Sequence, residues 1–263
     1  MRSIRIAARV APALGVAALL TACGSSSSSK SASQASAGTS SQIQLTKTGP
    51  SGPPYHPKIE PASFTTHFTN HYWPLKPGAM WTYNGLKDGQ PEHVVIEVTK
   101  TPRTVFGVRC VTVVDTVTIN GSLEEKTTDW YAQDRTGAVW YFGEDSKDYK
   151  NGAVSSTQGT WEAGVDGALP GVIIQGAPSP GPTYRQEFRP GVAEDMARVL
   201  STTAVQKVPA GTFHGVVETY DTDPLNPDKK ETKFFAPGVG PVHTVRVGGT
   251  HHEEIKLSSY RKG

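Results

Sequence analysis

The stretch Asp129-Trp130-Tyr131-Ala132-Gln133-Asp134-Arg135-Thr136-Gly137-Ala138-Val139-Trp140-Tyr141-Phe142-Gly143-Glu144 decides how the rest of the chain is read. Two aromatic-rich runs flank Gln133–Gly137, a polar segment containing Gly. Apolar runs bounded by Asp and Gly, with a short loop between them, signal a β-hairpin. A degenerate copy follows at Lys233-Phe234-Phe235-Ala236-Pro237-Gly238-Val239-Gly240-Pro241-Val242-His243.

That copy belongs to a longer internal similarity. Pro77-Gly78-Ala79-Met80-Trp81 matches Pro180-Gly181-Pro182-Thr183-Tyr184, and Val105–Val113 matches Pro209–Val217. Lys126, Thr128, Trp130, Tyr131 and Ala132 match Lys230, Thr232, Phe234, Phe235 and Ala236. Self-similarity of this kind marks repeated supersecondary units. The unit reads as five strands: one at Trp81, then Val94–Val98, Val108–Thr118, Glu125–Ala132 and Ala138–Phe142. Their counterparts start near Tyr184, Met196, Thr212, Lys230 and Pro241, and Glu253–Leu257 alternates as a closing strand. Ten or so strands joined by short turns pair antiparallel and cannot stay flat. The expectation is an all-β fold: a strongly bent antiparallel sheet, either a half-barrel or a two-layer sandwich, built from two internal repeats. Repeat 1 covers about 77–142, an inserted loop segment 143–179, repeat 2 about 180–243 and the closing strand 253–257 within a β domain of 61–263.

Ahead of that domain the composition changes twice. Residues 1–22 carry Arg2, Arg5 and Arg9 before the short apolar run Val10–Leu20, as a secretory signal does. Leu20-Thr21-Ala22-Cys23 matches the bacterial lipobox. That resemblance implies cleavage before Cys23 and lipid attachment to it, so that acyl chains anchor the chain to the cell membrane from outside the cytoplasm. Residues 23–60 are rich in Ser, Gly and Pro and read as a disordered tether. From Glu60 onward the chain has 20 Lys and Arg against 24 Asp and Glu. Nucleic-acid binding needs a basic stripe, which this composition excludes. Cys110, in a β-like run, reads as a buried inert thiol.

Trp130-Tyr131-Ala132-Gln133-Asp134 and Val139-Trp140-Tyr141-Phe142-Gly143-Glu144, together with Trp161-Glu162-Ala163-Gly164-Val165-Asp166-Gly167-Ala168, Tyr184-Arg185-Gln186-Glu187 and Ala193-Glu194-Asp195, resemble a family of exported bacterial lipoproteins of actinobacterial type. The resemblance spans roughly 72–257. It implies export and a β-rich domain, and it brings no activity and no site residues.

Candidate chemistry is sparse. No nucleophile elbow, phosphate loop or dinucleotide fingerprint occurs, and the eight histidines lack metal-ligand spacing, so no cofactor and no metal are expected. The acids Asp129, Asp134, Glu144, Asp145 and Asp148 read as solvated turn residues, since their spacing fits no calcium loop. Glu162 and Asp166 form the alternative catalytic pair of a hydrolase, which needs two carboxylates across a cleft. The aromatics Trp130, Tyr131, Trp140, Tyr141 and Trp161 are the candidate ligand-binding residues, because ring faces supply apolar area. The expected occupant is an apolar, lipid-like small molecule in a greasy concavity, with Phe142–Ser179 as its lid. A partner protein of the envelope, bound through the same aromatics, is the other possibility.

Overall fold

The computed structural model describes residues 54–263. A 3-10 turn at Pro61–Ser63 leads into β1 (Phe64–Thr65), β2 (Met80–Lys87), β3 (Gln90–Val98), β4 (Arg103–Val105), β5 (Val108–Ile119), β6 (Ser122–Asp134), β7 (Val139–Lys150) and β8 (Ala153–Ser156). There follow β9 (Trp161–Glu162), β10 (Leu169–Ile174), β11 (Tyr184–Arg185), β12 (Glu187–Phe188), β13 (Met196–Val208), β14 (Gly211–Asp223), β15 (Asn226–Ala236), β16 (Gly240–Gly248) and β17 (His251–Arg261). No α-helix occurs among the described residues, so none there could cross a membrane as a helix.

Local chemistry makes the hairpins. Asp88-Gly89, Asn120-Gly121 and Asn151-Gly152 each take positive φ at both positions, joining β2 to β3, β5 to β6 and β7 to β8. Two-residue turns of this hand match the twist of the flanking strands, and Asn, Asp and Gly tolerate the left-handed region best. Phe106-Gly107 does the same between β4 and β5, although Phe carries a steric cost there. In the Asp129–Glu144 hairpin the loop is Arg135–Ala138. Asp134 fixes it by accepting hydrogen bonds from the Thr136 and Ala138 amides and from Trp140 Nε1.

Sequential hairpins generate the sheet. β2, β3, β5, β6 and β7 are antiparallel neighbours in that order, as are β13 to β17. β17 then pairs with β2 from Glu253↔Lys87 to Arg261↔Met80. On the far side β7 pairs with β10, β10 with β12, and β11 with β13. The sheet is therefore an antiparallel barrel that nearly closes. Closure leaves few free strand edges. Strands stand at the ten positions read as two sets of five, in the same order around the ring. The first members differ: β2 has 8 residues and its counterpart β11 has 2.

Two boundaries move. Segment 143–179 is not a loop or a lid. It holds the second half of β7 together with β8, β9 and β10, and β10 is a stave of the wall. The chain needs it there because two-residue β11 cannot by itself bridge from β13 back to β7. The fold also begins before residue 61: Tyr55 packs edge-on against Phe188 and donates a hydrogen bond to the Pro170 carbonyl.

Candidate functional site

Strand alternation puts every second side chain inside the barrel, and the inward sets change character along the barrel axis. At the end where β2 starts, the interior is apolar. Trp81, Tyr83, Val98, Val113, Val217, Phe235, Val242 and Leu257 are buried there. The segment His67–Ala79 closes this end with Phe68, Trp73 and Leu75, the rings of Trp73 and Trp81 lying 5.2 Å apart. Each large side chain fully buried in this way contributes on the order of 2–3 kcal/mol. The expected apolar hollow is thus occupied by the protein's own side chains.

Further along, the interior turns polar, without a clean layer boundary, since buried Asp129 is paired directly with Val113. β6 carries Glu125, Thr127 and Asp129 inward, β14 carries Thr219, Asp221 and Asp223, and β15 carries Lys229, Glu231 and Lys233, all buried. A bulge in β7 helps: Trp130 faces Gly143 and Tyr131 faces Tyr141, leaving Phe142 as the extra residue. Tyr141 and Glu144 both become buried beside Asp129, and Tyr141 donates to Asp129 Oδ1 at 2.6 Å.

The cations of this layer are tied in. Lys233 Nζ lies 2.8 Å from Asp221 Oδ2 and 2.9 Å from Glu231 Oε2. Arg246 reaches Glu253 at 3.2 Å and Glu231 at 3.5 Å, and Lys229 reaches Asp195 at 3.1 Å. Burial alone would pull Glu231 up, yet Lys233, Arg246 and Lys229 together hold it below its ordinary value. Burial likewise opposes ionisation of Glu253, and Arg246 pulls the other way, holding the group below its ordinary value. Such pairs add little stability beyond an apolar core of equal volume, but losing one member strands the other.

The Glu187 and Asp195 carboxyls lie in hydrogen-bond contact with each other, as do Asp221 and the Thr219 hydroxyl, while the Thr244 hydroxyl has no partner. Glu187 and Thr244 are 0% and 2% exposed. Burial first, then Asp195 and Glu144, push Glu187 well above the usual carboxylate range. Burial raises Asp195 to about 7 against the pull of Lys229. Burial raises Asp221 as well, with Lys233 opposing. Buried polar atoms in this state call for an explanation, and a bound polar group is one.

The residues singled out from sequence are placed differently. Tyr131 stacks on Tyr141 at 4.8 Å and Trp161 meets Tyr141 edge-on at 5.3 Å, so these three do come together, but as buried core. Trp130 and Trp140 lie on the other side of their strands. Trp130 is covered by the Arg103 guanidinium at 4.0 Å, and Trp140 is half-buried against Phe64. Glu162 and Asp166 are not joined to a common polar group. Glu162 pairs with Arg103 at 2.7 Å and Asp166 with Arg189 at 2.9 Å. Asp129 and Glu144, expected in solvent, are buried. Cys23 lies outside the described residues. No group of three or more His, Cys, Asp or Glu able to hold a metal occurs among the described residues. The polar interior had a signal in the sequence: Thr219/Asp221/Asp223 and Lys229/Glu231/Lys233 repeat at every second position, as inward side chains of strands do.

The fold and this interior define a class, antiparallel β-barrels with buried charges among the interior side chains. No protein-family model matches the sequence, and no curated protein does. Two crystal structures are similar. One is a Parabacteroides distasonis protein provisionally described as a lipoprotein, at 13% identity and a TM-score of 0.40, covering 73% of this chain and 99% of its own. The other is a Bacteroides fragilis protein provisionally described as exported and of YmcC-like fold, at 15% identity and 0.40, covering 73% and 100%. Likeness at that level carries no argument, so the architecture rests on the strand pairings given above.

Proposed function

We propose that this chain is an extracytoplasmic lipoprotein, anchored through Cys23, whose barrel binds a ligand bearing a cationic group. The N-terminal signal and lipobox support the first half. The observation that carries the second is the excess of buried carboxyls: Asp195 and Asp221 each meet a lysine, while fully buried Glu187 meets only the carboxyl of Asp195. An ammonium or guanidinium group offers three or more N–H donors to acceptors of this kind. A cationic group suits these buried carboxyls better than the neutral lipid that the aromatic residues suggested. The hydrolase reading has no support in the separate arginine pairs of Glu162 and Asp166.

The test is calorimetric titration of the mature chain with dodecylamine and with dodecanoate. Dodecylamine is expected to bind, and Glu187→Gln with Asp221→Asn to weaken it at least tenfold. Equal binding of both, indifferent to the substitutions, returns the site to an apolar carrier. Binding of neither removes the ligand reading. Cys23→Ala is expected to release the protein from the membrane fraction; retention there refutes the anchor.

A further inference from the structure

The far end of the barrel carries a second, oppositely charged feature. The segment His67–Ala79 runs beneath the barrel and meets the β15–β16 turn at Gly238–Val239 and the end of β17. A cavity of about 380 Å³ lies between them. Buried Phe68 and Trp81 form its apolar side. Exposed Lys76, Arg261 and Lys262, with His67 and His71, form its polar side, and no Asp or Glu side chain lines it.

These cations are not spent within the fold. Among the described residues, Lys76 and Lys262 make no ion pair, and Arg261 donates only long hydrogen bonds of 3.4 Å to the Gly78 carbonyl. The Gly263 carboxylate on the same rim pairs with none of the three. Three like charges around one concavity repel one another, and an anion between them relieves that cost while gaining charge-assisted hydrogen bonds. The volume is in the range of small-molecule pockets rather than of a single ion, and one wall is aromatic.

We infer that this cavity is a binding site for an anionic amphiphile: a phosphate ester with a short apolar substituent, of the chemistry shared by acidic phospholipid headgroups and free phosphate esters. Trp81 anchors the site, since its indole N–H is already committed to the Val239 carbonyl at 2.8 Å and its ring is fixed. Lys76 and Lys262 supply most of the attraction, and both are exposed, so replacing them leaves the packing intact.

The test titrates the full mature chain with dihexanoyl phosphatidylglycerol, glycerol 1-phosphate, inorganic phosphate and dihexanoyl phosphatidylcholine. The expected result is binding of phosphatidylglycerol, at least tenfold weaker in Lys76→Gln/Lys262→Gln with an unchanged circular dichroism spectrum, and weakened by salt. Glycerol 1-phosphate binding as tightly assigns the site to free phosphate esters, and much weaker binding assigns it to lipid headgroups. Equal affinity for phosphatidylcholine, an unaffected double variant, or no binding of any anion overturns the inference.

Discussion

Lys233 donates to Asp221 across 2.8 Å with 1% and 4% of the two side chains exposed, two strands side by side sharing one buried proton-bearing contact. Its second partner, Glu231, sits two residues away on its own strand at 2.9 Å. Carboxylates on both sides raise the lysine's affinity for its proton despite the burial that opposes it. The barrel interior is thereby committed to carrying charge at this level.

Lys233→Met leaves Asp221 and Glu231 with less compensation in a dry setting. Removal of one member of a buried ion pair costs about 3–5 kcal/mol. Urea unfolding of the variant is expected to show a loss of that size. Combining it with Asp221→Asn is expected to recover part of it, a coupling that a double-mutant cycle reads directly. Additive losses would mean that the two residues do not act as a pair.

Glu187 sets a pH dependence. Its folded value is raised, as is that of Asp195, which moves from 3.8 to about 7. The folded state therefore holds protons that the unfolded state has released between those values. Stability from these groups is full below the unfolded values and is lost as pH rises through the folded ones. Glu253, held below its ordinary value by Arg246, acts in the opposite sense, losing its contribution as pH falls below 4.5. That second effect is common to wild type and variant. The melting temperature of Glu187→Gln, relative to wild type, is expected to rise from about pH 4 to about pH 8. A flat difference would show that Glu187 ionises normally.

Gly143 is required by the bulge in β7. Its φ is +137°, and a Cβ there would run into the backbone of Trp161 and Glu162 on β9. Gly143→Ala is expected to cost more than about 1 kcal/mol, because neither the dihedral nor the contact can be kept. Thermal unfolding checks this; a variant as stable as wild type would mean that β9 can move away freely.

Cys110 is buried, and burial pushes its thiol up to about 12. The thiolate is the reactive form. A disulfide reagent at neutral pH is expected to leave native protein unlabelled and to label it only after addition of denaturant. Rapid native labelling would place this part of β5 in a locally opening region.

Much of the wall was legible in advance. Alternation, aromatic pairs and turn residues located the long strands at Trp81, Val94–Val98, Val108–Thr118, Glu125–Ala132 and Ala138–Phe142, because a strand's period of two is written directly into its residues. The hairpin loop was also legible, since Gly137 and Asp134 supply the chemistry a tight loop needs. The site was not. Glu144 and Asp129 carry the same letters whether they face water or the barrel interior, and only the closed sheet, with the two paired beside the bulge, buries them. Trp130 and Trp140 looked like ligand platforms; Trp130 is covered by an arginine 27 residues earlier in the chain and Trp140 packs on Phe64, contacts that no local pattern encodes.

The sequence by itself determined the all-β character and the positions of the turns, which depend on neighbours a few residues apart. The tertiary structure decided that the sheet nearly closes, that 169–174 is a stave rather than a lid, and that buried acids of eight strands share one interior. Those outcomes depend on which distant strands become adjacent, such as β17 beside β2. Burial and charge at a position are fixed only once that ring has formed.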